Sequence, residues 1–164
     1  MTSYIFDVTS VSPLSKSKPK NIIVFCHGYG GDGNDISVLA TNWQRFLPET
    51  LFLCPNGPEV CAINPKGYQW FDLVAEKEEI IFEKSLIAEE KLSKFLDQIL
   101  DNFQIDSTNL ALVGFSQGCM MCIQVGIKRK NTINSLVGYS GKIINQKHLS
   151  KNINSKPKNI FNPW

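Results

Sequence analysis

The hydrophobic positions of this chain fall into short continuous runs that turn residues separate. Three runs are NIIVFCHGYGG from residue 21, TLFLCPNGP from residue 50 and NLALVGFSQG from residue 109, and a fourth, INSLVGYSG from residue 133, has the same form. Runs that are rich in β-branched and aromatic residues and do not alternate with polar residues are typical of parallel strands covered on both faces. The pattern therefore predicts four central strands.

Between the second and third runs, the spacing of hydrophobic residues changes to three and four. This spacing predicts a helix over about residues 83–102, with an apolar face formed by Leu92, Phe95, Leu96, Ile99, Leu100 and Phe103. Strands that alternate with helices indicate an α/β fold with right-handed crossovers and functional loops at the carboxyl ends of its strands. We expect one domain over residues 1–164, a loop at 12–21 and the start of another strand at 159–161.

The composition narrows the class of protein. A content of 43% hydrophobic and 20% charged residues fits a soluble globular domain, and no segment approaches the roughly 20 apolar residues that span a bilayer. The five cysteines are odd in number and lie mostly in apolar runs, as free thiols do in a reducing compartment. We therefore expect a cytoplasmic protein without a disulfide scaffold. Cys119 and Cys122 form a C-x-x-C motif, but no second pair completes a zinc site, so we expect no metal.

The charges are distributed unevenly along the chain. Residues 1–116 contain nine Lys and Arg and 15 Asp and Glu, whereas residues 117–164 contain eight Lys and Arg and no acid. A basic segment can indicate nucleic-acid binding, but these lysines lack interleaved aromatic residues and a recognisable binding motif. We expect a solvated surface and no nucleic-acid partner.

The glycine-rich loop after the first run has more than one interpretation. The segment GYGGDG, residues 28–33, satisfies the G-x-G-x-x-G pattern of dinucleotide-binding turns, which also need an acidic residue at the end of the next strand. That strand ends in Cys54-Pro55-Asn56, so we expect no nucleotide cofactor. A His-Gly pair at the end of a strand, here His27 and Gly28, can instead bring backbone N–H groups close to a developing oxyanion. A plain strand-to-helix turn is the structural alternative.

The segment Gly114-Phe115-Ser116-Gln117-Gly118 matches G-x-S-x-G, the nucleophile elbow. In this turn the residues two before and two after the serine approach so closely that a side chain at either would clash, and both are glycine here. A predicted strand precedes the motif, and QGCMMCIQVGIK can begin a helix whose dipole favours negative charge near the serine. The pattern predicts that Ser116 is a nucleophile.

Together these segments resemble the phospholipase/carboxylesterase family of α/β-hydrolases, which includes acyl-protein thioesterases and small bacterial carboxylesterases. The likeness is carried, in family order, by FCHGYGGDGND (25–35), CPNGPEVCAINPKGYQWFDL (54–73), VGFSQGCMM (113–121) and VGYSGK (137–142). The resemblance implies an α/β-hydrolase-type, mostly parallel sheet with helices on both faces. It also implies a serine carboxylesterase or thioesterase that forms an acyl-enzyme on Ser116 from a small ester or thioester, without a cofactor.

The resemblance further assigns roles to residues around Ser116. The backbone N–H groups of Tyr29 and Gln117 would form the oxyanion hole. The residues that would shape the loops around it are His27, Gly28, Gly114 and Gly118. The ring of His27 would order its loop by hydrogen bonds. Trp70 and Phe71, in GYQWFDL, would lie near the acyl or alcohol pocket, with an ordinary core position as the alternative.

The resemblance fails in the last part of the chain. In this fold an acid and a histidine follow the serine, but no Asp or Glu follows Ser116, and the only later histidine, His148, lies in a polar segment typical of a surface. We expect that the chain lacks the last strands of the fold and that Ser116 lacks its base. Loss of such a partner lowers turnover roughly 10⁴- to 10⁶-fold, so the isolated chain would be a very weak esterase.

Three interpretations of function stay open at this stage. The first is an ester hydrolase that is impaired in this chain. The second is a non-catalytic remnant, or one half of a split hydrolase that a complementing C-terminal fragment completes. The third is a nucleotide-binding protein. Because the INSLVGYS strand would lie at an edge of the sheet, we also expect it to invite pairing with another chain or self-association.

Overall fold

A computed structural model of the chain describes residues 4–74 and 77–162. Its strands are β1 (Val8–Val11), β2 (Asn21–Cys26), β3 (Thr50–Pro55), β4 (Glu59–Val60), β5 (Tyr68–Gln69), β6 (Leu110–Phe115), β7 (Ser135–Tyr139) and β8 (Lys158–Asn162). Its helices are α1 (Gly33–Trp43), α2 (Glu78–Phe103), α3 (Gln117–Gly126) and α4 (Gln146–Lys151), with a 3₁₀ turn at Ser107–Asn109. Strands alternate with helices along the chain, which confirms the predicted α/β class.

Six of the strands form one sheet, in the order β1-β3-β2-β6-β7-β8. All neighbours are parallel except β1, which pairs antiparallel with β3. The four predicted central strands are β2, β3, β6 and β7, and the strand expected to begin at 159–161 is β8. The carboxyl ends of β2 and β6 meet in register at Cys26 and Gly114, so the loops that follow them lie side by side.

The prediction that β7 would be an edge strand is wrong. The strand β8 pairs with β7 over its whole length, from Ser135 opposite Lys158 to Tyr139 opposite Asn162. Within the described residues, the edge on this side of the sheet is therefore β8, whose five residues are all exposed, and β1 forms the opposite edge. The strand β8 follows the polar segment that contains α4, and little apolar sequence surrounds it. The hydrophobic pattern therefore predicts only the start of a strand at 159–161.

The long helix α2 extends beyond the predicted range at both ends. Glu78 and Glu79 form its first turn, where acidic side chains interact favourably with the helix dipole but carry no hydrophobic signal. It ends before Gln104, which adopts the left-handed conformation (φ 52°) that commonly terminates helices. Its buried residues are Ser85, Ala88, Leu92, Phe95, Leu96 and Ile99, so the predicted apolar face is the face that packs on the sheet.

The core has two parts, one on each face of the sheet. The larger part lies under α2 and α3 and includes Trp70 and Phe71, while the smaller part lies under α1 and includes Phe25 and Phe52. All five cysteines are buried free thiols, as their positions in apolar runs of the sequence predict. Among the described helices, none combines the length and the apolar character that crossing a membrane requires.

The packing of α2 can be tested by comparing a buried with an exposed isoleucine on this helix. Ile99 is 0% exposed and Ile87, on the same helix, is 59% exposed. We expect Ile99→Ala to lower the free energy of unfolding by about 3 kcal/mol, because it removes buried methyl groups and leaves a cavity. Ile87→Ala should change it by less than about 0.5 kcal/mol. Urea unfolding of the two variants measures both values, and equal effects would contradict the packing of α2.

Candidate active site

Ser116 occupies a strained turn between β6 and α3. Its backbone has φ 51° and ψ −115°, a conformation that residues with a side chain seldom adopt and that costs about 1–3 kcal/mol. The Ser116 N–H donates to the carbonyl oxygen of Tyr139 at 2.9 Å, which ties the turn to β7. The side chain does not cap α3. The turn thus has the backbone geometry of a nucleophile elbow and leaves the hydroxyl free of a capping role.

The two glycines of the motif lie where side chains would collide. A Cβ on Gly114 would lie 2.5 Å from the carbonyl oxygen of Gly118. A Cβ on Gly118 would overlap the carbonyl oxygen of Cys26 and lie 2.6 Å from that of His27. The first turn of α3 therefore presses against the end of β2, and only glycine allows this approach.

The loop that follows β2 is also close to the serine. A Cβ on Gly28 would lie 3.4 Å from Ser116 Cβ and 3.0 Å from a ring carbon of Phe115. The sequence-predicted residues of the His-Gly loop and of the elbow are thus brought together at one edge of the sheet.

Three glycine N–H groups of this loop are already used within the protein. The bonds run from Gly30 to Tyr68 O (2.9 Å), from Gly31 to Gly28 O (3.1 Å) and from Gly33 to Asn56 Oδ1 (2.8 Å). Within residues 4–74 and 77–162, the N–H groups of Tyr29 and Gln117 have no hydrogen-bond acceptor. Gln117 begins α3, where N–H groups lack an intrahelical partner. The unbonded donors therefore include the two that an oxyanion hole would use, whereas three of the glycine donors that a phosphate would need are occupied.

The ring of His27 is fully engaged and buried. Its Nε2 accepts the Gly57 N–H at 2.8 Å, so Nδ1 carries the proton and donates to the carbonyl oxygen of Gly28 at 2.7 Å. Burial lowers the pKa of His27, which favours this neutral form. With both nitrogens bonded to backbone, the ring orders the loop and has no lone pair left to accept a proton from Ser116.

The second histidine, His148, and the carboxyl of Asp72 have partners of their own. The His148 ring lies on α4 with its centroid 4.9 Å from the ring of Phe82. Lys84 donates to Asp72 at 2.8 Å, and this bond lowers the pKa of the Asp72 carboxyl. In the part of the chain that the structure describes, the hydroxyl of Ser116 has no hydrogen-bond partner. The structure therefore brings together the serine and the His-Gly loop, and within its described residues neither histidine ring is hydrogen-bonded to Ser116.

Trp70 and Phe71 are both buried in the core, each about 1% exposed. The Trp70 indole N–H donates to the His27 carbonyl oxygen at 3.0 Å, and the Trp70 backbone N–H donates to Gln117 Oε1 at 2.9 Å. Gln117 Nε2 donates in turn to the carbonyl oxygen of Phe71 at 2.6 Å. The sequence offered no signal for this use of the Gln117 side chain beyond its place next to the serine.

An apolar groove of about 940 Å³ runs beside the elbow on the α1 side of the sheet. Its lining residues are His27, Gly28, Tyr29, Gly31, Asp35, Ile36, Val38, Leu39, Trp43, Val113, Gly114, Phe115, Tyr139 and Ser140. Phe115 and Tyr139 on its wall are 51% and 38% exposed. Trp70 and Phe71 lie on the other side of the sheet and do not line it.

The sequence profile of the phospholipase/carboxylesterase family matches residues 10–162. The chain belongs to this family. Its crystallographic relative esterase PE8 is 32% identical and superposes with a TM-score of 0.89 over 95% of this chain and 73% of that one. The carboxylesterase of Bacillus cereus, at 17% identity, shares the fold with a TM-score of 0.71 over 97% of this chain and 85% of that chain.

Two curated proteins are also similar to the chain. Acyl-protein thioesterase 1 of Schizosaccharomyces pombe is 27% identical over 124 residues, which cover 73% of this chain and 54% of the thioesterase. A hydrolase of Mycosarcoma maydis is 21% identical over 145 residues, which cover 85% of this chain and 55% of that protein. The chain therefore spans about half the length of the curated relatives that it matches.

The contact between α3 and β2 of this carboxylesterase-family chain is testable through its glycines. Gly118→Ala should lower the free energy of unfolding by at least about 2 kcal/mol, because the new methyl group meets backbone that cannot move aside. Gly31 is the matched control, since the nearest atom to a Cβ there lies 3.4 Å away. Urea unfolding measures both variants, and a Gly118→Ala protein as stable as Gly31→Ala would show that the approach is looser than described.

The pKa of His27 predicts a pH dependence of stability. Because the folded state resists protonation of His27, the unfolded state binds more protons below about pH 6.5, the ordinary pKa of histidine. Stability should fall as pH drops through this value, by up to about 1.4 kcal/mol per pH unit. In His27→Gln this part of the slope should disappear. Urea unfolding between pH 5 and 7.5 compares the two proteins, and parallel curves would contradict the assignment.

Proposed function

We propose that this chain carries the nucleophile and the oxyanion hole of a carboxylic ester hydrolase. The observation that carries the proposal is the strained elbow at Ser116, which lies beside two unbonded backbone N–H groups, those of Tyr29 and Gln117. Donors fixed in this way stabilise the negative charge that develops on a carbonyl oxygen under attack. Membership of the phospholipase/carboxylesterase family supports the same chemistry.

In the proposed reaction, Ser116 Oγ attacks the carbonyl carbon of an ester or thioester and gives its proton to a base. The tetrahedral intermediate places its oxyanion on the N–H groups of Tyr29 and Gln117. The intermediate collapses when the alcohol or thiol leaves with a proton, and an acyl-enzyme forms on Ser116. Water then attacks the acyl-enzyme and releases the carboxylic acid.

The base in this proposal comes from outside the 164 residues. Both ring nitrogens of His27 bond to backbone groups, the His148 ring packs at a tilt against Phe82, and no acid follows Ser116 in the sequence. A polypeptide that supplies a histidine and an acid, either continuous with this chain or separate, would complete the site. The exposed edge strand β8 is the place where such a polypeptide can extend the sheet.

We further propose a small ester or thioester as the substrate and the cytoplasm as the location. The substrate class follows the curated thioesterase and esterase PE8, to which the chain is similar. Five unpaired, buried cysteines support a reducing compartment. A non-catalytic remnant is the competing function, and it is favoured by the same lack of a hydrogen-bond partner at the Ser116 hydroxyl.

Imidazole in solution can test the two functions. We expect the chain to hydrolyse a short-chain aryl ester at nearly the rate of its Ser116→Ala variant. Added imidazole should raise the difference between the two at least about tenfold, because a free base can take the Ser116 proton without being held in place. Ser150→Ala, a substitution on the exposed side of α4, is the control and should behave as the parent chain.

The outcomes separate the proposals. Subtracting the Ser116→Ala rate removes the hydrolysis that imidazole catalyses by itself. A difference that imidazole does not increase would leave the chain as a remnant. Strong Ser116-dependent hydrolysis without imidazole would show that the 164 residues contain a base after all, and His27 and His148 would be the next substitutions.

A further inference from the structure

We infer that the side chains of Trp70 and Gln117 form a brace that fixes the two oxyanion-hole donors relative to each other. The inference rests on the proposed function, because it takes the backbone N–H groups of Tyr29 and Gln117 as those donors. Trp70 and Gln117 act in it as positioning residues. The resemblance left both a pocket position and a core position open for Trp70, and the brace uses the buried one.

The need for a brace follows from the topology. Tyr29 follows β2, whereas Gln117 begins α3 after β6, and the sheet pairs these strands only as far as Cys26 and Gly114. Beyond that pair, no ladder of strand hydrogen bonds holds the two segments together. Two donors can share one oxyanion only if each lies about 2.7–3.1 Å from it, so their separation must be set by other contacts.

The first half of the brace is the Gln117 amide. Its Oε1 accepts the Trp70 N–H at 2.9 Å, and its Nε2 donates to the Phe71 carbonyl oxygen at 2.6 Å. One side chain thus offers the acceptor and the donor that a neighbouring strand would offer to this segment. Gln117 is 0% exposed, so water does not compete for either bond. The start of α3 is thereby fastened to residues 70–71.

The second half is the Trp70 indole. Its N–H donates to the carbonyl oxygen of His27 at 3.0 Å, and the two rings lie 5.6 Å apart with a tilt of 31°. This carbonyl belongs to the peptide that joins His27 to Gly28, directly before the peptide that carries the Tyr29 N–H. The indole therefore holds the entry to the loop at a fixed distance from Gln117.

Peptide planarity carries the constraint to Tyr29. The Gly28 carbonyl and the Tyr29 N–H belong to one trans peptide, so they point in opposite directions. That carbonyl oxygen accepts His27 Nδ1–H at 2.7 Å and the Gly31 N–H at 3.1 Å. Once these bonds hold the carbonyl, the direction of the Tyr29 N–H is determined. The chain of contacts from Gln117 through Trp70 and His27 ends at the second donor.

Hydrogen exchange can test the brace without any catalysis. Trp70→Phe removes the indole N–H and leaves the buried His27 carbonyl without that donor, and Gln117→Met removes both amide bonds at similar volume. Each should speed amide exchange at Gly30 and Gly31, whose N–H groups are hydrogen-bonded within the loop region, by about three- to tenfold beyond the change that its global stability explains. Ile99→Ala, a buried substitution in the same core part, is the control, and its exchange should follow global stability alone.

The two variants act on different ends of the brace, so either one that folds decides the question. Exchange at Gly30 and Gly31 that follows global stability in Trp70→Phe or in Gln117→Met would overturn the inference. The same local acceleration in Ile99→Ala would overturn it too, because general loosening of the core would then explain the effect.

The imidazole-supported assay adds a readout that packing alone would not move. We expect Trp70→Phe to lower kcat by about 10- to 100-fold and to leave KM within about twofold, because only the transition state needs the aligned donors. The preference for an ester over the matching thionoester should fall as well, since sulfur accepts these hydrogen bonds poorly. Rates that do not depend on Ser116 would contradict the proposed function. The exchange experiment would still test whether Trp70 and Gln117 form the brace.

Discussion

The close approach of α3 to the end of β2 is the contact on which the rest of the site depends. At Gly118 the helix backbone lies directly against the carbonyl groups of Cys26 and His27, with no room for a side chain. This contact lets the chain turn at Ser116 immediately after β6, at the cost of a positive φ. It also places the start of α3 beside the His27–Tyr29 loop, so that one steric constraint determines both the elbow and the neighbourhood of its hydroxyl.

Burial separates the reactive group from the inert ones around it. Cys119 and Cys122 follow Ser116 on α3, and burial raises the pKa of both thiols, which keeps them protonated. The neighbouring Cys26 thiol also raises the pKa of Cys122. The thiols of Cys119 and Cys122 therefore act as small apolar groups under the elbow. Ser116, in contrast, is half-exposed. The same desolvation keeps His27 neutral and committed to the backbone.

The sequence was informative where hydrophobic runs and glycines had a single physical explanation. The four central strands, α2 and the G-x-S-x-G turn follow from continuous apolar runs, a spacing of three and four, and glycines flanking a serine. The short strands β1, β4 and β5 were not predicted, because strands of two to four residues carry too few positions to show a period.

The candidate site was predictable only in part, for a related reason. Motifs place Ser116 and the His-Gly loop at the ends of strands, and the register of β2 and β6 brings them together. The bonds of Trp70 and Gln117 join segments far apart in the chain, and local pattern contains no information on such contacts. The edge position assigned to β7 was wrong because β8 follows a polar stretch, where hydrophobic periodicity is weakest.

The sheet order also determines when the site can form during synthesis. The strand β2 lies between β3 and β6, so one of its edges stays unpaired until residues 110–115 have left the ribosome. Pairing across such a sequence distance is slow, because a long loop must close before any contact compensates for it. The glycine loop after β2 is made early and can bond to residues 56–68, but Ser116 and the start of α3 reach it only after β6 has been made. A nascent chain therefore exposes an apolar strand edge for much of its translation. During that interval a chaperone finds the largest hydrophobic surface to bind.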